Sequence, residues 1–372
     1  MNVAWWPHTT APQVASVRLR CLQIVRQLRD WGHEASVYRP GDRAPQTLVL
    51  SKRYDAETLR HALSLSREAG TKLVLDLCDN HFVHGDDDPG GRLARRAQDL
   101  RDAIAQVHLV TTASAALAEV VRTQCAGRLP PVCVVDDAAE PPQALRRAFS
   151  WENLRARAAL LRLRHWQARH TDVPTARRFV WFGNHGSPGV DGGMSDLARL
   201  RPALEQSASA TGPLGLTVIS NSAERHAQLT RGWTVPTFYL PWHADTFSTA
   251  LQAHGTALIP IALNPFTACK TANRVLTAFQ HGLNVVADAI PSYAPFSGCA
   301  VLDDWTFGLN GYGTPAQQSR RQADLLAGTA IAAEQFSLAK IGAQWLDALA
   351  RLGEAGAPLV HAAMPPHSPQ DR

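Results

Sequence analysis

Three short stretches carry side chains whose types and spacing suit holding an anion or moving a proton. In "CKTANRVLT", Lys270, Asn273, Arg274 and Thr277 fall on one helical face, opposite the apolar face Ala272, Val275, Leu276 and Phe279. Cations in the first turns of a helix oppose its dipole, an arrangement that makes sense if an anion sits there. Arginine grips phosphate as a fork, and lysine supplies a point charge. In "KLVLDLCDNHF", an apolar run ends in Asp79, Asn80 and His81. A carboxylate beside an imidazole suits general-base work, and the same residues equally suit an Asx turn with a helix cap. After "RFVWF" comes Gly183-Asn184-His185-Gly186-Ser187-Pro188-Gly189, where backbone N–H groups could face an anion. This turn is neither GxGxxG nor a P-loop, so an ordinary loop is its plainer reading.

Other polar groups stand where a cleft would use them. Asn221 follows "LTVIS", and Asn264 follows "TALIPI". Arg18 and Arg20, near the start of the first helix, are candidate contacts for an acceptor or an anion, as is Asn80. The run Gly85 to Gly91, with Asp86, Asp87 and Asp88, has the look of a carboxylate metal site, but its proline and glycines favour a solvated turn. The six cysteines are scattered with no CxxC, so zinc is not expected and reduced thiols are the simplest account.

Short apolar runs alternating with amphipathic segments must position these groups. "NVAWW", "ASVYR", "TLVLS", "KLVLDL", "HLVTT" and "PVCVVDD" read as strands of a first half, with a helix after Ser16 that stops at Gly32. "RFVWFG", "LGLTVIS", "TFYLPW", "TALIPI" and "LNVVAD" form a second series. Continuous apolar runs rather than alternation predict strands buried on both faces, hence parallel sheets. The expected architecture is α/β, with two doubly wound Rossmann-like domains facing a cleft. Residues 1–150 form the N-terminal domain and 151–175 an Arg-rich helical connection. The second domain covers 176–330, a C-terminal helix that can return to the first domain covers 331–353, and a flexible tail covers 354–372.

With 372 residues, two domains are the natural prior. The 45% hydrophobic and 19% charged fractions describe a soluble globular chain, and the formal charge of +5 suits an anionic substrate, a phospholipid surface or nucleic acid. No apolar run reaches membrane-spanning length, and "MNVAWWPHTT" does not read as a secretory signal. No nucleic-acid recognition module is visible. The expected location is the cytoplasm, including the inner face of the membrane.

The stretch from "RFVWFGNHG" to "NPFTACKTANRVLTAFQHGLNVVADAIPSY" resembles the sugar-nucleotide-binding domain of GT-B glycosyltransferases. Gly282-Leu283-Asn284-Val285-Val286-Ala287 is similar to the family's G-x-P-V-V-A, with Asn284 in place of proline. "ASVRLRCLQIVRQLRDWGHEASVY" looks like the opening helix and second strand of many members. Lys270, Asn273 and Arg274 resemble the K-x-x-N-R/K version of the late helix. The glutamate pair of many retaining members, with seven residues between, would fall on Cys269 and Thr277. Both carboxylates are missing, as are the paired glycines after the first strand.

The resemblance implies glycosyl transfer from a nucleotide sugar, in bacterial surface polysaccharide or glycoconjugate synthesis. The acceptor would be a glycan, a lipid-linked sugar or another small molecule, with peripheral membrane contact and no nucleic acid. Lys270 and Arg274 would touch the donor diphosphate and Asn273 the sugar or phosphate, with Gly183, Asn184 and Asn221 also in the donor site. Neither a metal nor a cofactor beyond the donor is expected. His81 or Asp79 would be the base of an inverting reaction, or would orient the acceptor in a retaining one. The alternative is a binding or scaffold protein that keeps the fold without the chemistry.

Overall fold

The computed structural model describes residues 1–83, 88, 91–125, 127, 129–145, 150–186 and 192–354. The described strands are β1 (Asn2–Pro7), β2 (Glu34–Val37), β3 (Thr47–Ser51), β4 (Lys72–Leu77), β5 (Leu109–Thr112), β6 (Val132–Val134), β7 (Arg178–Phe182), β8 (Gly215–Ser220), β9 (Thr237–Pro241), β10 (Thr256–Ile259), β11 (Asn284–Ala287) and β12 (Val301–Leu302). They form two six-stranded sheets, ordered β2-β1-β3-β4-β5-β6 and β12-β11-β10-β7-β8-β9. Every pairing is parallel. The apolar runs explain this: Thr47–Ser51 and Asn284–Ala287 are buried at every residue, as strands covered by helices on both faces require. Because all strands of a sheet point the same way, their carboxyl ends share one edge. Only β12, two residues long, has no counterpart among the expected strands.

Three helices differ instructively from their sequence patterns. The opening helix is interrupted: Ala15–Val17, then a π-helical turn Arg18–Leu22, then Gln23–Asp30. A π turn re-aims the side chains it carries. Here Arg20 points inward and is 1% exposed, so it is no cleft contact. The late polar stripe is also split. A 3₁₀ turn covers Thr267–Cys269, the α-helix begins only at Asn273, and Lys270 lies between them with extended backbone. Ala272, Val275, Leu276 and Phe279 are buried as their spacing requires, and Thr277 is buried with them.

The C-terminal helix is in fact two, Gln318–Gln335 and Leu338–Glu354. Phe336 breaks away to stack on Phe296 in the core of the second half, and its carbonyl accepts from the Ala139 N–H at 2.7 Å. Ser337 Oγ then caps the new helix through the Lys340 N–H. That helix packs Ile341, Trp345, Ala348 and Leu349 against Val3, Trp5 and Ile24 of the first half. The Trp345 and Trp5 rings meet edge to face at 5.4 Å, with the Arg20 guanidinium 5.7 Å from the Trp345 ring. The last described helix therefore crosses back to the first half. Residues beyond Glu354 lie outside the described residues, as do Asp86, Asp87 and Ser187 to Gly189.

Trp345→Ala should therefore destabilise the first half by about 3–5 kcal/mol, the cost of an emptied aromatic site in a core. Urea unfolding measures this, and an unchanged midpoint would mean that the returning helix does not hold that half together.

Candidate functional site

In open parallel sheets, ligands bind where neighbouring strands send their connections to opposite sides. In the second sheet that point lies between β7 and β10, and in the first between β1 and β3. The candidate site is built from the residues just past these four strands and β4.

After β7 comes the turn Gly183 to Gly186. Asn221, just past β8, fixes it by accepting from the His185 backbone N–H at 3.0 Å and lying 2.9 Å from His185 Nδ1. Asn184 Oδ1 accepts from the Gly186 N–H at 3.0 Å. Gly186 (φ 110°) and Gly193 (φ 80°) have left-handed backbones, and a Cβ on Gly193 would stand 2.7 Å from the Gly186 nitrogen. Glycine is needed there for conformation and for close approach. After β10, Asn264 Oδ1 accepts from the Phe266 and Thr267 N–H groups, both at 2.9 Å, and Thr267 Oγ1 donates to the Ala262 carbonyl. This tied turn leads into Lys270, whose ammonium lies 4.1 Å from the Phe266 ring centre.

Lys270 does not stand free. Its Nζ is 2.5 Å from Asp79 Oδ1, and Lys52 Nζ is 2.5 Å from Asp79 Oδ2. Lys52 follows β3 with φ 55°, a left-handed conformation uncommon outside glycine and strained for a lysine. His8, just past β1, donates its backbone N–H to the Ser51 carbonyl. Burial, and then the charges of Lys52 and Arg53, lower the His8 imidazole pKa. Burial alone would push the Asp79 carboxyl up, but Lys270 and Lys52 outweigh it and hold it well below the carboxylate range. Two ammonium groups facing one carboxylate leave a positive balance at the junction of the halves.

His81 is 8% exposed, with Nδ1 2.6 Å from the Tyr54 hydroxyl and Nε2 3.9 Å from Asp79. Burial, followed by the charge of Arg96, pushes its pKa down to about 3. In this arrangement burial makes His81 a weak base, and Lys270 and Lys52 hold Asp79 ionised.

The remaining expected residues divide. Asn80 donates to the Pro265 carbonyl at 2.9 Å and is 3% exposed, so it ties the halves together rather than meeting an acceptor. Arg20 is buried on Asp76 (2.7 Å) and Asp137 (3.0 Å). Arg18 pairs with Glu140 at 2.6 Å, 6.0 Å from the Trp242 ring centre, which spends its charge locally. Asn273 and Arg274 are half-buried at the helix start, and the Arg274 charge acts on the buried Tyr293 hydroxyl. Lys270, Asp79 and His81 thus come together, and Gly183, Asn184 and Asn221 form a second group on the neighbouring loop. Lys52 and His8 were missed. Both stand directly after a strand, so applying the strand-end rule to β1 and β3 would have found them. Among the described residues, no group of three or more His, Cys, Asp or Glu side chains stands close enough to hold a metal ion, and no helix is long and apolar enough to cross a membrane.

Comparison with solved structures places this architecture. HepE from Anabaena in complex with UDP-glucose superposes with a TM-score of 0.61 at 16% identity, over 94% of this chain and 99% of that one. An E. coli trehalose-6-phosphate structure bound with UDP-2-fluoro glucose gives 0.56 at 10% identity, over 82% and 72%. An alpha,alpha-trehalose 6-phosphate synthase from Burkholderia multivorans gives 0.53 at 13% identity, over 92% and 77%. The fold is that of the GT-B glycosyltransferases. No protein-family model matches the chain, and it has no significant match among curated proteins.

The buried imidazoles set a pH signature. Below about 6.5 an unfolded histidine takes up a proton that His81, and His254 with its pKa lowered to about 4 by burial, refuse in the fold. Stability should therefore fall as pH drops from about 6.5. The Asp79 contribution, set by a depressed carboxyl, persists until the pH is below about 4. In an NMR titration the His81 ring should stay neutral between about pH 5 and 8. A midpoint near 6.5 would show that the imidazole is not desolvated as described.

Proposed function

We propose that this chain is a glycosyltransferase that moves a sugar from a nucleotide sugar to an acceptor. The observation that carries the reading is the pairing of Lys270 with Asp79, where the strand ends of two GT-B halves meet. The HepE structure holds UDP-glucose and the E. coli structure UDP-2-fluoro glucose, which supports a nucleotide-sugar donor here.

In this reading the donor lies between the Gly183–Gly186 turn and the Asn264–Arg274 segment. Lys270 and Arg274 face the diphosphate, helped by the N-terminus of the helix Asn273–Gln280. As the bond from the anomeric carbon to the diphosphate breaks, negative charge grows on the departing phosphate oxygen. Cations fixed beforehand stabilise that charge more than the ground state, and this is the main catalytic term. Lys270 and Arg274 supply the positive charge at the leaving group, so no metal ion is required in this mechanism. The acceptor occupies the first half near His8, Lys52 and His81, where His81 orients rather than deprotonates. It would be a glycan, a lipid-linked sugar or another small molecule, and the setting bacterial surface polysaccharide or glycoconjugate synthesis in the cytoplasm.

A second reading is a protein that binds the nucleotide sugar without turning it over. What favours it is the absence of a carboxylate at Cys269 and Thr277, together with the poor basicity of Asp79 and His81. Release of nucleoside diphosphate from a panel of nucleotide sugars separates the two. Transfer or slow hydrolysis supports the enzyme, and stoichiometric binding with no release supports the binding protein.

Lys270→Ala and Arg274→Ala should each weaken nucleoside diphosphate binding by about 1.5–3 kcal/mol, the scale of a charged hydrogen bond. Calorimetry that finds unchanged affinity in both variants rejects the donor assignment. Turnover should also persist in excess EDTA. Loss that magnesium or manganese restores would instead give Asp86, Asp87 and Asp88 a metal-binding role.

A further inference from the structure

The helix Trp151–Arg169 is buried along one face, through Ala156, Ala159, Leu160 and Leu163. Its opposite face is apolar too. Trp151 is 81% exposed, Leu161 62% and Leu154 44%. With Ala158 between the leucines, they recur at alternating steps of three and four residues and form one stripe. Arg155 and Arg162, a heptad apart, run along one flank, and Arg164 stands on the other. Glu152 is the only acid in the helix.

An ordinary surface helix shows mixed charges on its outer face. A narrow apolar stripe flanked by Arg155 and Arg162 on one side and Arg164 on the other, opened by an exposed tryptophan, is what a helix lying in a lipid interface presents. We propose that this face docks the protein on an anionic phospholipid surface. The leucines and Trp151 enter the boundary between headgroups and acyl chains, and the guanidinium groups reach the lipid phosphates on either side. A second copy of the chain fits the stripe poorly, because arginines on both flanks would meet arginines. The proposal does not depend on glycosyl transfer, and its readout is independent of turnover.

The test is co-sedimentation of the full chain with phosphatidylcholine vesicles, with or without phosphatidylglycerol. Wild type should bind the anionic vesicles, more weakly at high salt, and leave the neutral ones largely unbound. At about 1 kcal/mol per arginine near an anionic surface, Arg155→Gln with Arg162→Gln should weaken partition about thirtyfold. Trp151→Ser with Leu161→Ser should weaken it also at high salt, where the charge term is screened. All four residues are exposed, and an unchanged thermal midpoint checks that the variants fold. Equal binding by wild type and both variants, or no binding to anionic vesicles, would overturn the proposal. So would a lipid-free oligomer that the Trp151/Leu161 variant dissolves, since the stripe would then be a protein interface.

Discussion

One carboxylate between two ammonium groups organises this molecule. Asp79 follows β4, Lys52 follows β3 and Lys270 follows the turn after β10, so the cluster exists only while both sheets present their strand ends to each other. Removing a carboxylate from water is costly, and here one cation per oxygen offsets that cost. A second positive charge at one carboxylate is unnecessary for balance. It makes the junction receptive to an added anion, and a diphosphate reaching Lys270 would compete directly with Asp79. Under the proposed donor binding, the contact between the halves and the diphosphate would draw on the same ammonium group.

The cluster needs a rigid support, which a second buried ion pair supplies. Arg20 reaches from the π turn of the opening helix to Asp76 inside β4, three residues before Asp79. Ser51 and Thr111 donate to the same carboxylate from the strands on either side, and Arg20 also bonds Asp137 and the Val135 carbonyl. Asp137 in turn accepts from Thr271 of the second half. A buried pair with every partner satisfied adds little net stability, but breaking it is expensive, so the register of β3, β4 and β5 is tightly specified. The strained Lys52 backbone sits one residue beyond that network.

Much of this was legible in the residues. Each expected strand is present, because strands buried on both faces must be continuously apolar and so announce themselves. The apolar faces of the helices were equally plain. What stayed hidden depends on partners distant in sequence. Arg20 read as a cleft residue because helical periodicity contains no π turn, although an aspartate inside "KLVLDL" required a buried cation somewhere. The break at Phe336 was invisible for a similar reason. The periodicity runs through it, and only the change of half that the chain packs against makes Phe336 and Ser337 leave the helix. Lys52 carried no motif at all, and its role comes from the adjacency of β3 and β4 in the sheet.

The same geometry accounts for the two missing glutamates. Cys269 is 2% exposed, joins the core of the first half, and its carbonyl accepts from Ser114 Oγ across the junction. Its thiol faces the Pro265 carbonyl at 3.5 Å. A carboxylate there would be desolvated against an apolar cluster, with a carbonyl oxygen facing it and no cation committed to it. Thr277 is likewise buried, with its hydroxyl 3.4 Å from Asn273 Oδ1. These positions belong to the contact between halves and to the helix core, so under the proposed glycosyl transfer sugar recognition would fall to groups that remain at the cleft. Asn273, half-buried at the first turn of its helix, is the polar side chain that survives there beside Lys270.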